Sequence, residues 1–152
     1  MAIYTMDIQY PIHIDGKERE VLEEQNRFDV WEKFETMKWR QCRTLQLQLS
    51  GKTTTFKIVD IEHGYTILFT VLDRTLSGEI ELSIKTNIPI IVTKKDLFGL
   101  MTRKKKEELA IERATLNESK QYLEMILKND FKDLEQAYFS NVDKSVLNSA
   151  MA

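Results

Sequence analysis

The sequence predicts an α+β fold: an antiparallel sheet of five or six strands, or a small barrel of the same strands, with an N-terminal helix and a long C-terminal helix. Between residues 44 and 93, apolar residues recur at every second position in short runs, as in strands with one buried face. The connections between these runs are too short for parallel crossovers. Later in the chain, leucines recur at helical intervals. These three observations define the predicted class.

The first predicted strand covers residues 7–14, and Pro11, which lacks an N–H, indicates that it lies at a sheet edge. The alternating region predicts five more strands, over residues 44–49, 53–61, 65–72, 79–85 and 88–92. The side chains expected in the core are Leu45, Leu47, Leu49, Ile67, Phe69, Ile80, Leu82 and Ile84. Those expected in solvent are Gln46, Glu79 and Glu81.

The N-terminal helix is predicted over residues 17–41. Asp15 and Glu18 have the spacing of a capping box. The apolar residues of this helix lie on two sides, with Val21, Phe28, Trp31 and Trp39 on one and Val30, Phe34 and Met37 on the other. A helix that is apolar on two sides is buried between layers. We therefore expect its second side to pack against the C-terminal helix or against another subunit.

The C-terminal helix is predicted from a seam of apolar residues. Its members recur at intervals of seven and then three or four: Leu109, Leu116, Leu123, Leu127, Phe131, Leu134 and Tyr138. A continuous helix of this length would project from the domain or be shared with a partner, whereas a break near Asn129 would divide it into two ordinary helices. The predicted organisation is a β-rich part, residues 1–95, with helix 17–41 inserted, and a helical part, residues 96–152, in a single structural unit.

The sequence contains few residues that indicate chemistry. The single Cys42 excludes an internal disulfide, and with only two histidines it argues against a His/Cys metal site. His63 lies beside Asp60 and Glu62 before a tight turn, where polar side chains usually face water. The chain has no glycine-rich nucleotide motif and no G-x-S-x-G. We therefore predict a non-enzymatic protein with no catalytic residues, cofactor or metal.

The expected location is the cytoplasm, or a particle assembled there. The N-terminus lacks the basic and apolar regions of a signal peptide. The sequence also contains no apolar run of the roughly 20 residues that a membrane span needs. Nothing in the cysteine content favours an oxidising compartment.

One basic block stands out in the sequence. Arg103, Lys104, Lys105 and Lys106 are consecutive, but Glu107 and Glu108 follow at once and neutralise half of their charge. We therefore predict a solvated helix face, although these residues, with Arg40 and Arg43, are the candidates for an anion contact. The formal net charge of −2 argues against a nucleic-acid partner.

Two short segments distantly resemble the signatures of PilZ domains, small barrels that bind cyclic di-GMP. They are Arg40-Gln41-Cys42-Arg43 before one predicted strand and Asp60-Ile61-Glu62-His63-Gly64 after the next. PilZ domains have R-x-x-x-R and D/N-x-S-x-x-G, so here the arginines are one residue too close, the serine is absent and the glycine comes one residue early. The resemblance implies ligand contacts by Arg40, Arg43 and Asp60, and it is not the interpretation that we adopt.

The favoured interpretation is a structural or assembly protein that joins copies of itself or other subunits through its helices. A virion or other particle component, an adaptor and a chaperone all fit this pattern. The predicted interface residues are Val30, Trp31, Phe34, Met37, Leu127, Phe131, Leu134 and Tyr138. The alternative is a small β-barrel that binds a ligand, such as a nucleotide, or a nucleic acid through the basic residues.

Overall fold

The computed structural model describes residues 3–14, 17–48, 52–95 and 102–138. The described strands are β1 (Tyr4–Ile14), β2 (Lys17–Gln25), β3 (Thr55–Asp60), β4 (Tyr65–Val71), β5 (Glu81–Lys95) and β6 (Thr102–Thr115). The described helices are α1 (Arg27–Thr36), α2 (Trp39–Gln48), α3 (Leu116–Leu127) and α4, over residues 131–138. This is an α+β fold, as the sequence predicts.

The described strands form one open antiparallel sheet in the order β2-β1-β3-β4-β5-β6. β1 and β2 form a hairpin, α1 and α2 lead to β3 on the other side of β1, and β3 to β6 follow as a meander. One face of the sheet shares a single core with the helices. The opposite face carries half-exposed polar residues such as Thr5, Gln9 and Thr70, which is usual for an antiparallel sheet. Of the two predicted arrangements, the antiparallel sheet is confirmed, with six strands, and the barrel is wrong.

The core centres on the ring of Phe34, from α1. Its centroid lies 4.9 Å from that of Trp39 in α2, 5.4 Å from Phe56 in β3 and 4.9 Å from Phe69 in β4. All four side chains are buried. Trp39 Nε1 also donates to the Phe34 carbonyl oxygen at 3.0 Å, which satisfies a free carbonyl near the end of α1. Phe34 therefore joins both helices to the middle of the sheet.

The helix predicted over residues 17–41 is wrong in its first part, which is β2. The segment Lys-Glu-Arg-Glu-Val-Leu-Glu-Glu-Gln is rich in helix-forming residues. It pairs antiparallel with β1, however, and Arg19 Nε donates to Asp7 Oδ1 of that strand at 2.8 Å. Tertiary pairing therefore overrides the local helix propensity.

The helix begins after a bulge at the end of β2. The register against β1 shifts near Glu24, whose φ of 55° is left-handed, and such a bulge turns a strand away from its sheet. Asn26 then caps α1, because its side chain accepts from the Asp29 N–H while the Asp29 carboxylate accepts from the Asn26 N–H, both at 2.9 Å. The predicted cap, Asp15, lies outside the described residues.

The strand predicted over residues 44–49 is also wrong, because residues 44–48 form the second half of α2. The buried residues of α2 are Trp39, Cys42 and Gln46, which have the three- and four-residue spacing of a helix. Leu47 is 48% exposed and Gln46 is 5% exposed, the reverse of the prediction. Leu45 is half-buried, and Leu49 lies outside the described residues.

Pro11 does not mark an edge strand, although the sequence predicted one. The predicted edge strand lies between β2 and β3. Pairing with β3 ends at Gln9, and the register with β2 is interrupted between Gln9 and Ile14. No neighbouring strand therefore needs an N–H from Pro11, which is why proline is tolerated inside the sheet.

The central strands confirm much of the predicted core. The predicted residues that are buried here are Ile67, Phe69, Ile80, Leu82 and Ile84. Glu79 is exposed as predicted, but Glu81 is buried. The predicted break between two strands is absent, since β5 runs through Asn87 and Pro89. Asn87 instead fastens β5 to β4, because its Oδ1 accepts from the Thr66 N–H at 2.7 Å.

The predicted long C-terminal helix is wrong over residues 102–115, because these residues form β6 and pair with β5. The helix begins at a capping box in which Thr115 Oγ1 accepts from the Glu118 N–H and Glu118 Oε1 accepts from the Thr115 N–H, at 3.2 and 3.1 Å. The period of seven that linked Leu109 to Leu116 therefore crosses from a strand into a helix.

The predicted alternative, a break near Asn129, is confirmed. Asn129 has a φ of 56°; its N–H donates to Ile126 O at 3.1 Å, and the Asp130 N–H donates to Met125 O at 2.9 Å. This pair of bonds is a Schellman motif, which ends a helix at a left-handed residue. The following helix, α4, returns to the core and buries Leu134 completely.

Two alanine substitutions distinguish the observed core from the predicted one. Phe69→Ala removes a fully buried ring, and we expect it to lower the free energy of unfolding by about 3–5 kcal/mol. The matched change Leu47→Ala should alter it by less than about 1 kcal/mol, because Leu47 projects from the outer side of α2. Urea denaturation measures both. A loss above about 2 kcal/mol for Leu47→Ala would contradict the helix.

Candidate functional site

An apolar cavity of about 280 Å³ lies between α1 and the C-terminal end of α3. Its lining residues are Arg27, Phe28, Trp31, Glu124, Leu127 and Lys128. Phe28 is 70% exposed, and the Arg27 guanidinium carbon lies 5.1 Å from its ring centroid. On the α3 side, Lys128 Nζ donates to Glu124 Oε1 at 2.7 Å. The site thus has apolar walls and a rim with charges of both signs.

The size and lining of this cavity limit its chemistry. Its volume lies just below the range of roughly 300–1,000 Å³ that is typical of small-molecule sites. Its polar groups are long charged side chains on the rim, and Glu124 is already paired with Lys128. These apolar walls match an aromatic or aliphatic group in size and polarity.

The residues predicted to form a partner interface differ in how deeply they are buried. Those buried within the chain are Val30, Phe34, Met37, Leu127 and Leu134, and those half-buried are Trp31, Phe131 and Tyr138. Leu134, which was predicted to contact a partner, is instead completely buried within the chain. Within the set, Trp31 and Leu127 line the cavity, whereas Phe131 packs edge-on against Tyr65 at 5.9 Å between ring centroids. The sequence placed Phe28 on one apolar side of the predicted N-terminal helix but not among the predicted interface residues.

Asp60 and His63 form a close pair in the turn after β3. His63 Nδ1 lies 2.9 Å from Asp60 Oδ2, and Asp60 Oδ1 accepts from the backbone N–H groups of Glu62 and His63 at 3.1 and 3.2 Å. The His63 ring stacks on Tyr65, with centroids 5.4 Å apart. The contacts of Asp60 are those that hold a tight turn together. Burial raises the pKa of the nearby Tyr4, and the negative charge of Asp60 raises it further.

The arginines of α2 lie apart from this turn. Arg43 Nη2 donates to the Asp73 carbonyl oxygen at 3.1 Å, beyond the end of β4, and Arg40 is exposed on the same helix. Asp60 precedes the other end of β4, about 20 Å away along seven residues of strand. The structure therefore does not bring together the three residues that the PilZ resemblance would require.

The basic block lies in β6 and not on the predicted helix face. Its backbone partners in β5 are Lys94 for Arg103, Thr93 for Lys104, Val92 for Lys105 and Ile91 for Lys106. The pairing of β4 with β5 ends at Thr86, so the later residues of β5 pair only with β6. We name this two-stranded extension, residues 88–95 and 102–109, the β5–β6 arm.

An ion pair between the buried Glu81 and the half-buried Arg113 fastens the opposite end of β5. Glu81 Oε1 accepts from Arg113 Nη1 at 2.6 Å and from the Leu76 N–H at 2.8 Å, while Oε2 accepts from the Ser77 hydroxyl at 2.9 Å. Burial alone would raise the pKa of Glu81, but the bond from Arg113 and those from Leu76 and Ser77 together lower it. The pair holds the loop between β4 and β5 against β6, and no sequence pattern indicated it.

Other candidate chemistry is limited in the part of the chain that the structure describes. No group of three His, Cys, Asp or Glu side chains among these residues is placed to hold a metal ion. Burial raises the pKa of the Cys42 thiol, which disfavours a reactive thiolate. No described helix is long and apolar enough to cross a membrane.

Comparison with known proteins gives no relative. No family model matches the chain, and neither a curated protein nor a solved structure shows significant similarity to it. The resemblance to PilZ domains thus lacks both a matching family model and the geometry it implies. The function must be inferred from the surfaces of this chain alone.

The ion pair of Glu81 predicts a pH-dependent stability. A carboxyl whose pKa is lowered in the folded state stabilises it above the unfolded pKa of about 4.3, and this contribution is lost as the pH falls through the folded pKa. We expect Glu81→Gln to cost about 1–3 kcal/mol near neutral pH, because it leaves buried donors poorly matched. This difference from the wild type should shrink in acid.

Urea denaturation from about pH 7 to about pH 3 measures this difference. Asp7, whose pKa is also lowered by a hydrogen bond from Arg19, is present in both proteins, so its effect cancels. A cost of Glu81→Gln that is the same at all pH values would show that the charge of Glu81 contributes nothing to folding.

Proposed function

We propose that this chain is a non-enzymatic subunit of an assembly, and that two copies associate through the surface around Phe28. The observation that carries the proposal is an aromatic side chain, 70% exposed, beside an apolar cavity that it does not fill. Single exposed apolar residues are common, but Phe28 is continuous with the cavity walls of Trp31 and Leu127. Aromatic residues beside pockets of this kind are frequent centres of protein interfaces.

The shape of this surface favours a second copy of the chain as the occupant. It combines a projecting ring, Phe28, with an apolar cavity next to it. A two-fold axis places the same patch of each subunit against the other, so each Phe28 can enter the cavity of the other copy. Burying such a ring from water contributes about 1.5–3 kcal/mol, and the symmetry doubles the contribution.

The charges on the rim support the same occupant. Arg27 and Lys128 are cationic and Glu124 is anionic, so the patch carries both signs within a short distance. A patch with both signs is complementary to itself after a two-fold rotation, whereas a patch with a single sign would repel its copy.

The predicted assembly function is retained in this proposal, but its residues change. Of the interface predicted from the sequence, Trp31 and Leu127 line the proposed contact, and Phe28 becomes its centre. Val30 and Phe34 face the sheet on the other side of α1 and belong to the core. They stabilise the subunit and not the contact.

Phe28→Ser should weaken self-association without unfolding the chain. Each lost hot spot costs about 2 kcal/mol or more, and the two-fold contact loses two, about 4 kcal/mol in all, so the dimer Kd should rise about a thousandfold or more. Leu76→Ser is the matched control, because Leu76 is 84% exposed in the loop between β4 and β5, away from the cavity. Sedimentation velocity over a concentration series measures the mass of all three proteins.

The wild type and Leu76→Ser should approach twice the chain mass of 17.9 kDa, and Phe28→Ser should stay near the single mass. A wild type that is monomeric at the highest concentration would overturn the proposal. Equal weakening by both substitutions would also overturn it, because it would show no role for this particular patch.

A further inference from the structure

The outer part of the β5–β6 arm concentrates positive charge. Residues 91–95 and 102–106 contain six cations, Lys94, Lys95, Arg103, Lys104, Lys105 and Lys106, and no carboxylate. Glu107 and Glu108, which follow the basic block in sequence, pair with Ile90 and Pro89 nearer the base. The connection between the strands, residues 96–101, contains one acid, Asp96. Strand pairing therefore adds two lysines to the block and moves the glutamates towards the sheet.

This concentration is unfavourable within the chain itself. Lys94 and Arg103 are direct partners across the ribbon, and like charges in opposed positions destabilise a strand pair. Without these six cations the formal charge of the chain would be −8 instead of −2. The protein thus combines an acidic body with one basic extension, and a bound polyanion would relieve the repulsion within the arm.

The base of the arm is firmly held. Ile88, Ile90 and Leu109 are completely buried and belong to the same core as Leu134 of α4. The eight residues of β5 that belong to the arm, 88–95, span about 26 Å at about 3.3 Å per residue. The charge is therefore carried on an anchored ribbon and not on a disordered tail.

We propose that the β5–β6 arm binds the phosphates of double-stranded DNA. Two paired strands lie about 4.8 Å apart, and the major groove of B-form DNA, about 12 Å wide, admits such a ribbon. The major groove of A-form RNA is too narrow for side chains to read. The acidic body is repelled by the duplex, so the arm approaches it first. This inference does not depend on the self-association proposed above.

Salt-dependent binding to DNA provides the test. The fluorescence anisotropy of a labelled random-sequence duplex is measured with the wild type and with R103Q/K104Q/K105Q/K106Q between about 50 and 200 mM salt. Each phosphate contact contributes about −0.9 to the slope of log K against log salt. We expect the fourfold variant to lose about 3 to 4 from the magnitude of this slope, with an affinity at least about tenfold lower at the lower salt.

The matched control is K38Q/K57Q/K85Q/K132Q, which changes the net charge equally at exposed positions outside the arm. It should keep the slope of the wild type. Circular dichroism checks the fold of each variant. If the fourfold arm variant does not fold, K94Q/K95Q tests the other strand of the arm, and its slope should fall in magnitude by about 2.

Several results would overturn the proposal. One is that the wild type does not bind DNA at the lower salt. Another is that the arm variant and the control lose DNA affinity equally. A third is that the wild type binds vesicles that contain phosphatidylserine but does not bind DNA. Lysines at a sheet edge also prevent pairing between sheets. Aggregation of the arm variant with unchanged DNA affinity in its soluble fraction would show that this is their role and would likewise overturn the proposal.

Discussion

The packing of Phe34 against Phe56 and Phe69 is the contact on which the arrangement of this chain depends. It fixes α1 across the centre of the sheet, and the Trp39 contact fixes the start of α2 relative to α1. Because Val30 and Phe34 face the sheet, the neighbouring side of α1 is turned towards α3. Phe34 therefore sets the rotation of α1 about its own axis. This rotation places Phe28 and Trp31 beside α3, where they line the cavity.

Sequence periodicity predicted strands well where burial on one side was the dominant constraint. β4 and the first half of β5 alternate between core and solvent, and each has a partner on both sides. It failed at β2, where Glu, Lys and Leu favour a helix and pairing with β1 decides otherwise. β2 has one neighbour and few buried residues, so its sequence carries little of the pattern that would identify a strand.

Two buried polar residues, Gln46 and Glu81, were predicted to face solvent. Gln46 is buried because its amide donates to Val71 O and Asp73 Oδ1 and its carbonyl accepts from the Thr54 N–H, so it ties α2 to two strands. Glu81 is buried because Arg113, far along the chain, neutralises it. A periodicity argument assigns both to solvent. Their burial depends on partners that only the folded chain brings near, and each such partner is invisible to a local pattern.

The charge of the β5–β6 arm could not be predicted from sequence neighbours either. In this case, the pairing of strands brings like charges together instead of neutralising them. Along the sequence, the nearest charged neighbours of the basic block are Glu107 and Glu108, and they led to the prediction of a neutralised helix face. In a strand each residue advances about 3.3 Å, whereas a paired strand lies only about 4.8 Å away. Lys94 is therefore a direct neighbour of Arg103, and the glutamates lie several positions back along the ribbon. The electrostatic character of a two-stranded extension is set by its register, so it could be assigned only once the partner strand was known.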